Sequence, residues 1–391
     1  MQPEIYFDNS ATTRQYDEVT ALMNDVAANT YGNPSSLHTK GIAAEKLIKI
    51  ARDTVAASVD AESKEIYFTS GGTESNNLAI RGYLDANQRK GNHIITTQIE
   101  HPSVLEIYRH LEKCGYCVDY IGVDVTGKLN LQEFKDKLKK ETALISMIFV
   151  NNETGAIQQL DEISAIRDSV NPYAVIHTDA VQAYGKFPII PAKSGIGLLT
   201  MSSHKIHGPK GVGALYASKK IRLKPLFFGG GQEALLRSGT ENVPGIAGLG
   251  LASKLTFERL KSNYERVSML KYYFADKLAE SGIRYRIISP SGASPYIINV
   301  AFENVRAEVL LHHLEQKGIF VSTGSACSSH KKTKSHVLLA MKVPTQLIDG
   351  SIRFSFSGFN TAEEISNTIE AIKEIIPSIE IHRTQKTRRQ Q

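Results

Sequence analysis

Cysteine is scarce in this chain: Cys114, Cys117 and Cys327 are the only three in 391 residues. Three cysteines build no disulfide framework, which excludes the small disulfide-stapled classes and points to a reducing compartment. Long apolar runs are lacking too, so no segment reaches the ~20 residues that cross a bilayer. The first ten residues carry Glu4 and Asp8 and no apolar stretch, so no signal peptide is expected and a cytoplasmic location is. Internal repeats are absent, and low-complexity sequence is confined to the tail. The formal charge is +6, yet residues 381–391 hold Arg383, Lys386, Arg388 and Arg389 without an acid. Most of the excess is therefore a tail rather than a face, and direct nucleic-acid binding is not expected.

What is present is a regular alternation. Strand candidates at Ile66–Phe68, Ile94–Thr97, Val118–Ile121, Leu144–Val150, Val175–Thr178 and Ile196–Met201 are mostly separated by helical segments such as Ser75–Leu84 and Asp161–Asp168. That rhythm predicts an α/β unit with a largely parallel sheet covered on both faces. The turn from Gly208 to Gly211 is too short for a parallel crossover, so Val212–Tyr216 should run antiparallel, as an edge or inserted strand. Ala44, Leu47, Ala51, Val55 and Val59 mark an amphipathic helix, and a long helical stretch is expected from about Ile246 to Glu280. A second, smaller unit then follows, with strands Ile297–Ala301, Ile319–Val321 and Ser351–Phe356, helix Ala307–Gln316, and a last helix from the capping box Thr361/Glu364 to a point before Pro377.

Chemistry-bearing residues gather where strands end. Ser202-Ser203-His204-Lys205 follows an apolar run, and a lysine leaving the core is partly desolvated, which makes its amine available as nucleophile or base. Thr69-Ser70-Gly71-Gly72-Thr73-Glu74 joins a strand to a helix. Gly72 allows close backbone approach and Thr73 offers a hydroxyl to an anion, but the stretch fits neither the dinucleotide fingerprint nor the Walker loop. His101 follows Glu100 and precedes Pro102, where it serves a site or caps a helix. Asn152 follows Leu144–Val150, either as a ligand-facing amide or as a turn-former. Asp179 could hold a protonated heteroaromatic nitrogen or cap the next helix. A phosphate cradle, an aromatic ring, a carboxylate and a lysine together match what pyridoxal phosphate requires. Arg353, alternating with Ile352 and Phe354, either forks onto a substrate carboxylate or is solvated. Cys327 lies among Lys331, Lys332 and Lys334, which favour a thiolate if they come near. Cys114 and Cys117 imitate a redox or zinc pair but sit at a helix-to-strand turn with one further cysteine in the chain, so no metal site is expected.

These motifs, with Arg237-Ser238-Gly239-Thr240 and Gly324-Ser325-Ala326-Cys327, resemble the cysteine desulfurases of the NifS/IscS type, a branch of the class V aminotransferases. The likeness runs from Tyr6-Phe7-Asp8-Asn9 to the helix near Pro377. It implies a fold-type-I pyridoxal phosphate enzyme: a large domain at 16–255 with a mostly parallel seven-stranded sheet, and a smaller α+β domain from 1–15 and 256–391 carrying the cysteine loop. It makes Lys205 the Schiff-base lysine and base, His101 the ring-stacking residue and Asp179 the partner of the ring nitrogen. Asn152 and Gln182 would contact the ring or its hydroxyl. Gly72, Thr73, Ser202 and His204 would bind phosphate, joined by Thr240 from the other subunit of a homodimer. Arg353, with Asn152, would hold the carboxylate of L-cysteine. Cys327 would take its sulfur as a persulfide and leave alanine, for an iron–sulfur scaffold or a tRNA-thiolation enzyme. A selenocysteine lyase or aminotransferase on the same fold, or a non-catalytic sulfur-relay protein, are the alternatives. The short basic tail, in place of the longer extension of housekeeping members, leaves the acceptor open.

Overall fold

The structure, a computed structural model, describes residues 4–324 and 334–380, so Cys327 and the basic tail lie outside the described residues. In chain order the strands are β1 (Ile5–Tyr6), β2 (Ile66–Thr69), β3 (His93–Thr97), β4 (Cys117–Ile121), β5 (Thr142–Ile148), β6 (Val175–Asp179), β7 (Leu198–Ser202), β8 (Gly213–Ala217), β9 (Tyr285–Ile287), β10 (Ile297–Phe302), β11 (Ile319–Phe320) and β12 (Ser351–Ser355). Seven form one sheet in the order β2-β8-β7-β6-β5-β3-β4. Within it β8 alone runs against its neighbours, inserted between β2 and β7 as its short connection requires.

The central strands are buried along their whole length. Their alternation sends Ile95, Ile145 and Leu199 to one core and Ile94, Leu144 and Leu198 to another, so both faces need cover. Helices Thr39–Ser58 and Val243–Glu258 cover the first face. The second takes helix Pro102–Lys113 and the helix that starts at Gly72–Asn77, passes through a π turn at Leu78–Gly82 and ends at Tyr83–Ala86.

A separate core sits under the antiparallel sheet β12-β10-β9 and the parallel pair β1-β11. Helices Leu260–Glu280, Ala307–Gln316 and Ala362–Ile379 close it, and Phe7 from the N-terminal segment lies within it. The capping box forms as expected: Glu364 N donates to Thr361 Oγ1, and the Glu364 carboxylate accepts from Thr361 N.

Three expectations change. The stretch expected to be helical from Ile246 to Glu280 is two helices broken at Arg259, whose φ of −102° and ψ of 7° leave the helical region. The break lets the first half pack on the large sheet and the second on the small one. Pro377 lies inside the last helix rather than beyond it, two residues before its end, where the missing N–H forfeits only one bond of the final turn. Strand β9 and the short helices His336–Ala340 and Thr345–Asp349 have no periodic signal long enough to announce them.

The two helices on the first face touch where Gly250 meets Ala51. A Cβ at Gly250 would lie 2.7 Å from both Cα and Cβ of Ala51. Gly250→Val should therefore destabilise the fold by about 1–3 kcal/mol through overpacking, read as a lower urea midpoint. An unchanged midpoint would mean that the contact relaxes at no cost.

Candidate active site

The carboxyl ends of β2, β3, β5, β6 and β7 open on one edge of the sheet, the place where open α/β sheets bind ligands. From β2 comes the turn Ser70–Thr73. From β7 come Ser202 and the single 3₁₀ turn Ser203–Lys205. Between them lies a pocket of about 390 Å³ whose wall includes Gly71, Gly72, Thr73, Ser202, His204 and Lys210. Gly71 has a φ of +147°, open only to glycine at no cost, and Gly72 approaches Val181 so closely that a Cβ would stand 2.8 Å from its Cγ2. Ser202 Oγ is buried with no hydrogen-bond partner among the described residues. Burial, and then the charges of Lys205, Lys210 and Lys186, push the His204 imidazole down to about 4, so it is neutral at neutral pH. An unsatisfied hydroxyl, helix-start amides and an exposed lysine around an open space fit a phosphate group.

Beside this pocket Asp179 ends β6 nearly fully buried. Its Oδ1 accepts from Val181 N at 3.0 Å, so the capping role exists, and its Oδ2 accepts from Asn76 Nδ2 at 2.9 Å. Asn76 Nδ2 also donates to Ser103 Oγ at 2.9 Å, and that hydroxyl lies 2.8 Å from His101 Nδ1. His101 is the N-cap of helix Pro102–Lys113, its Nδ1 accepting from Ser103 N. Burial lowers the His101 pKa, Lys205 and His336 lower it further, and Asp179 opposes. Capping and a place in the site thus coexist in both residues. Asn76 and Ser103 stood in the recognised motifs, but nothing in their spacing revealed that they bridge Asp179 to His101.

Lys205 Nζ donates to the carbonyls of Ser10 at 2.5 Å and Ala11 at 2.6 Å. Gln182 Nε2 donates to the same Ser10 carbonyl at 2.8 Å. The N-terminal segment that supplies this acceptor is tied down by Ser10 N to Ser355 Oγ and by Ser10 Oγ to Asn152 O.

Arg353 is not solvated: it is 3% exposed, because β10 and the N-terminal segment flank β12. Its Nη2 pairs with Asp8 Oδ1 at 2.7 Å, its Nη1 donates to Asn152 O at 2.8 Å, and its Nε is buried without a partner among the described residues. Asn152 thus meets the arginine through its backbone carbonyl. Thr240 is exposed, away from the phosphate-sized pocket. Cys114 and Cys117 are exposed free thiols, and no metal-binding cluster occurs among the described residues. No helix among them is long and apolar enough to cross a membrane.

Two buried carboxyls support the site from below. Glu153 accepts from Ser335 Oγ at 2.6 Å, and a Cβ at Gly324 would come within 2.7 Å of Glu153 Oε2, so it touches the chain on both sides of residues 325–333. Burial pushes it up to about 7. Glu100 Oε1 accepts from Thr97 Oγ1 and Ile148 N, both at 2.7 Å, while its Oε2 has no partner among the described residues. Burial, with the Asp179 charge adding, pushes Glu100 up to about 8.

This arrangement of a lysine, a carboxylate and an imidazole beside a phosphate-sized pocket on an α/β sheet defines a class, the pyridoxal phosphate enzymes of fold type I. Residues 5–368 match the aminotransferase class-V family. The chain is 42% identical over 380 residues to a cysteine desulfurase IscS of Dictyoglomus turgidum, covering 97% of this chain and 96% of that one. Among solved structures it superposes on a NifS-like protein with a TM-score of 0.91 at 37% identity, covering 96% of this chain and 100% of the other. It also superposes on SspA in complex with cysteine with a TM-score of 0.81 at 32% identity, covering 91% and 100%. The chain belongs to the cysteine desulfurases of the NifS/IscS type within the class-V family, enzymes that work with pyridoxal phosphate.

Folded Glu100 keeps its proton up to about pH 8, whereas an unperturbed glutamate releases it near 4.5. Between those values the folded state binds more protons, so the stability from this group is full below 4.5 and lost as pH rises through about 8. The loss is at most about 1.4 kcal/mol per pH unit. Glu100→Gln keeps Oε1 and has no charge to bury, so urea unfolding from pH 5 to pH 8 should show it gaining on wild type as pH rises. A constant difference would mean that Glu100 does not titrate there.

Proposed function

We propose that the protein converts L-cysteine to L-alanine with pyridoxal 5'-phosphate on Lys205, and that Cys327 receives the sulfur as a persulfide for an acceptor such as an iron–sulfur scaffold or a tRNA-thiolation enzyme. The observation that carries this reading is the meeting of Lys205, Asp179 and His101 beside the phosphate-sized pocket. The cysteine bound in the SspA structure supports the substrate. In this reading Gly72, Thr73, Ser202 and His204 hold the phosphate, with the partner subunit's Thr240 completing it in a homodimer. The separate cores support a large domain at 16–255 and a small one built from 1–15 and 256–391, in a cytoplasmic protein.

The cofactor, when bound, supplies an electron sink for the pair released as Cα loses its proton. The chain's own residues do the rest. Asp179, oriented by Asn76 and the Val181 amide, faces the ring nitrogen. His101, locked by Ser103, stacks on the ring as a neutral imidazole. Lys205 takes the Cα proton. Arg353, its plane fixed by Asp8 and Asn152, holds the substrate carboxylate. In the net exchange the Cβ–S bond breaks and an S–S bond forms: L-cysteine and the Cys327 thiol give L-alanine and the Cys327 persulfide, with no outside oxidant.

Lys205→Ala should lose alanine formation by orders of magnitude while still binding pyridoxal phosphate through the phosphate and ring contacts; near-normal alanine output would refute the role of Lys205. Cys327→Ser should still change the cofactor's colour on mixing with cysteine yet form no protein persulfide and little alanine, since a serine hydroxyl is far less nucleophilic than a thiolate. Mass spectrometry of wild type should place the added sulfur on the peptide containing Cys327. Sulfur found on Cys114 or Cys117 would overturn the transfer step.

A further inference from the structure

Lys186 is a buried amine that none of the roles above uses. It is 8% exposed, beside Gly185, in the turn after β6. Its Nζ donates to Gln182 Oε1 at 3.0 Å and lies 5.5 Å from the centre of the Tyr296 ring. Lys186 and Lys205 line one small cavity of about 20 Å³, with Asn263, Tyr296 and His207 and no acidic side chain on its wall. The charged and titratable groups that face Lys186 are therefore Lys205, Arg353, His204, His207 and Tyr296, and none of them is an anion.

A primary amide offers a donor edge and an acceptor edge of nearly equal shape, and only its partners decide which way each points. A lysine ammonium can only donate, so beside Lys186 the Gln182 amide must present its oxygen. Its Nε2 is thereby turned the opposite way, onto the Ser10 carbonyl, the acceptor that Lys205 Nζ also uses. Three hydrogen bonds run in series: Lys186 to Gln182, Gln182 to Ser10, and Lys205 to Ser10.

We propose that Lys186 is a positioning residue for the chemistry at Lys205, acting through Gln182: it pins the Gln182 amide with its donor edge toward the reactive amine and the cofactor ring. The inference rests on the proposed cofactor chemistry and adds to it a residue that touches neither cofactor nor substrate. Burial first, and then the charges of Lys205 and Arg353, push Lys186 down to about 7, so retaining a lysine here costs stability and needs a local reason. A cost borne beside the reactive amine, in contact with a side chain expected to meet the ring, is what a positioning role explains. A mere space-filler would be cheaper as methionine.

The test is the pH midpoint of the visible absorbance of the pyridoxal phosphate-loaded protein, in wild type, Lys186→Met, Gln182→Ala and the double variant. Freed from Lys186, the amide no longer holds its donor edge to the ring oxygen. That oxygen becomes more basic and retains the neighbouring proton more tightly, so Lys186→Met should raise the midpoint by about one pH unit. In the Gln182→Ala background most of that shift should vanish, because the two residues act in series. An unmoved midpoint in folded Lys186→Met, or a shift of equal size in both backgrounds, overturns the proposal. Should Lys186→Met fail to fold, Lys186→Gln, which removes the charge and keeps a donor, carries the same expectation and the same refutation. Wild type that takes up no pyridoxal phosphate would instead remove the functional reading itself, so the two failures are distinguishable.

Discussion

Two donors from different strands, Lys205 Nζ and Gln182 Nε2, meet on the carbonyl of Ser10, and that carbonyl is in place only because the N-terminal segment returns across the strand ends. The segment is held there at several points. Ile5 and Tyr6 pair with Ile319 and Phe320, and Phe7 is buried in the second core. Asp8 pairs with Arg353, and Thr13 N donates to His204 O. The Asp8–Arg353 pair is largely buried, so removing one partner would cost about 3–5 kcal/mol by stranding the other charge. A stretch of about ten residues thus joins the two cores and lines the site, which is why so many site residues find a partner in it.

The electrostatics of the site follow from burial more than from pairing. Glu100 and Glu153 are pushed toward neutrality, His101 and His204 are held neutral, and Lys186 is pushed down, in every case with desolvation as the largest cause. Around the phosphate-sized pocket the neutral histidine and unsatisfied serine sit with Lys210, while Asp179 keeps two donors one strand away. The result is a region that welcomes an anion at one end and offers a carboxylate at the other. Those are the two ends of a phosphorylated heteroaromatic ring.

Much of the fold was legible in the sequence. Helix Ala307–Gln316 falls on the expected residues, the strands of the large sheet agree within about two, and β8 runs antiparallel as the short Gly208–Gly211 turn demanded. Period and turn length are local quantities, readable without knowing what the segment packs against. Arg259 was not legible, because nothing in its neighbourhood breaks a helix; the chain bends there only since its two halves belong to different cores. Arg353 was misjudged as possibly solvated because alternation predicts faces, and both faces of β12 are covered.

The candidate site divides along the same line. By itself the sequence determined which residue types leave each strand end: Lys205, Asp179, His101, the Gly71-Gly72-Thr73 turn and the amides at 151–152, because strand and turn signals are written in consecutive residues. Only the tertiary structure decided that Asn76 and Ser103 join Asp179 to His101, that Asp8 holds Arg353, that Glu153 touches the chain on both sides of 325–333, and that Lys186 turns the Gln182 amide. Asn76 and Asp179 are over a hundred residues apart in the chain, and Asp8 and Arg353 over three hundred. Such pairs leave no period or spacing in the sequence, because a hydrogen bond depends on where the folded backbone brings two atoms and not on how many residues separate them.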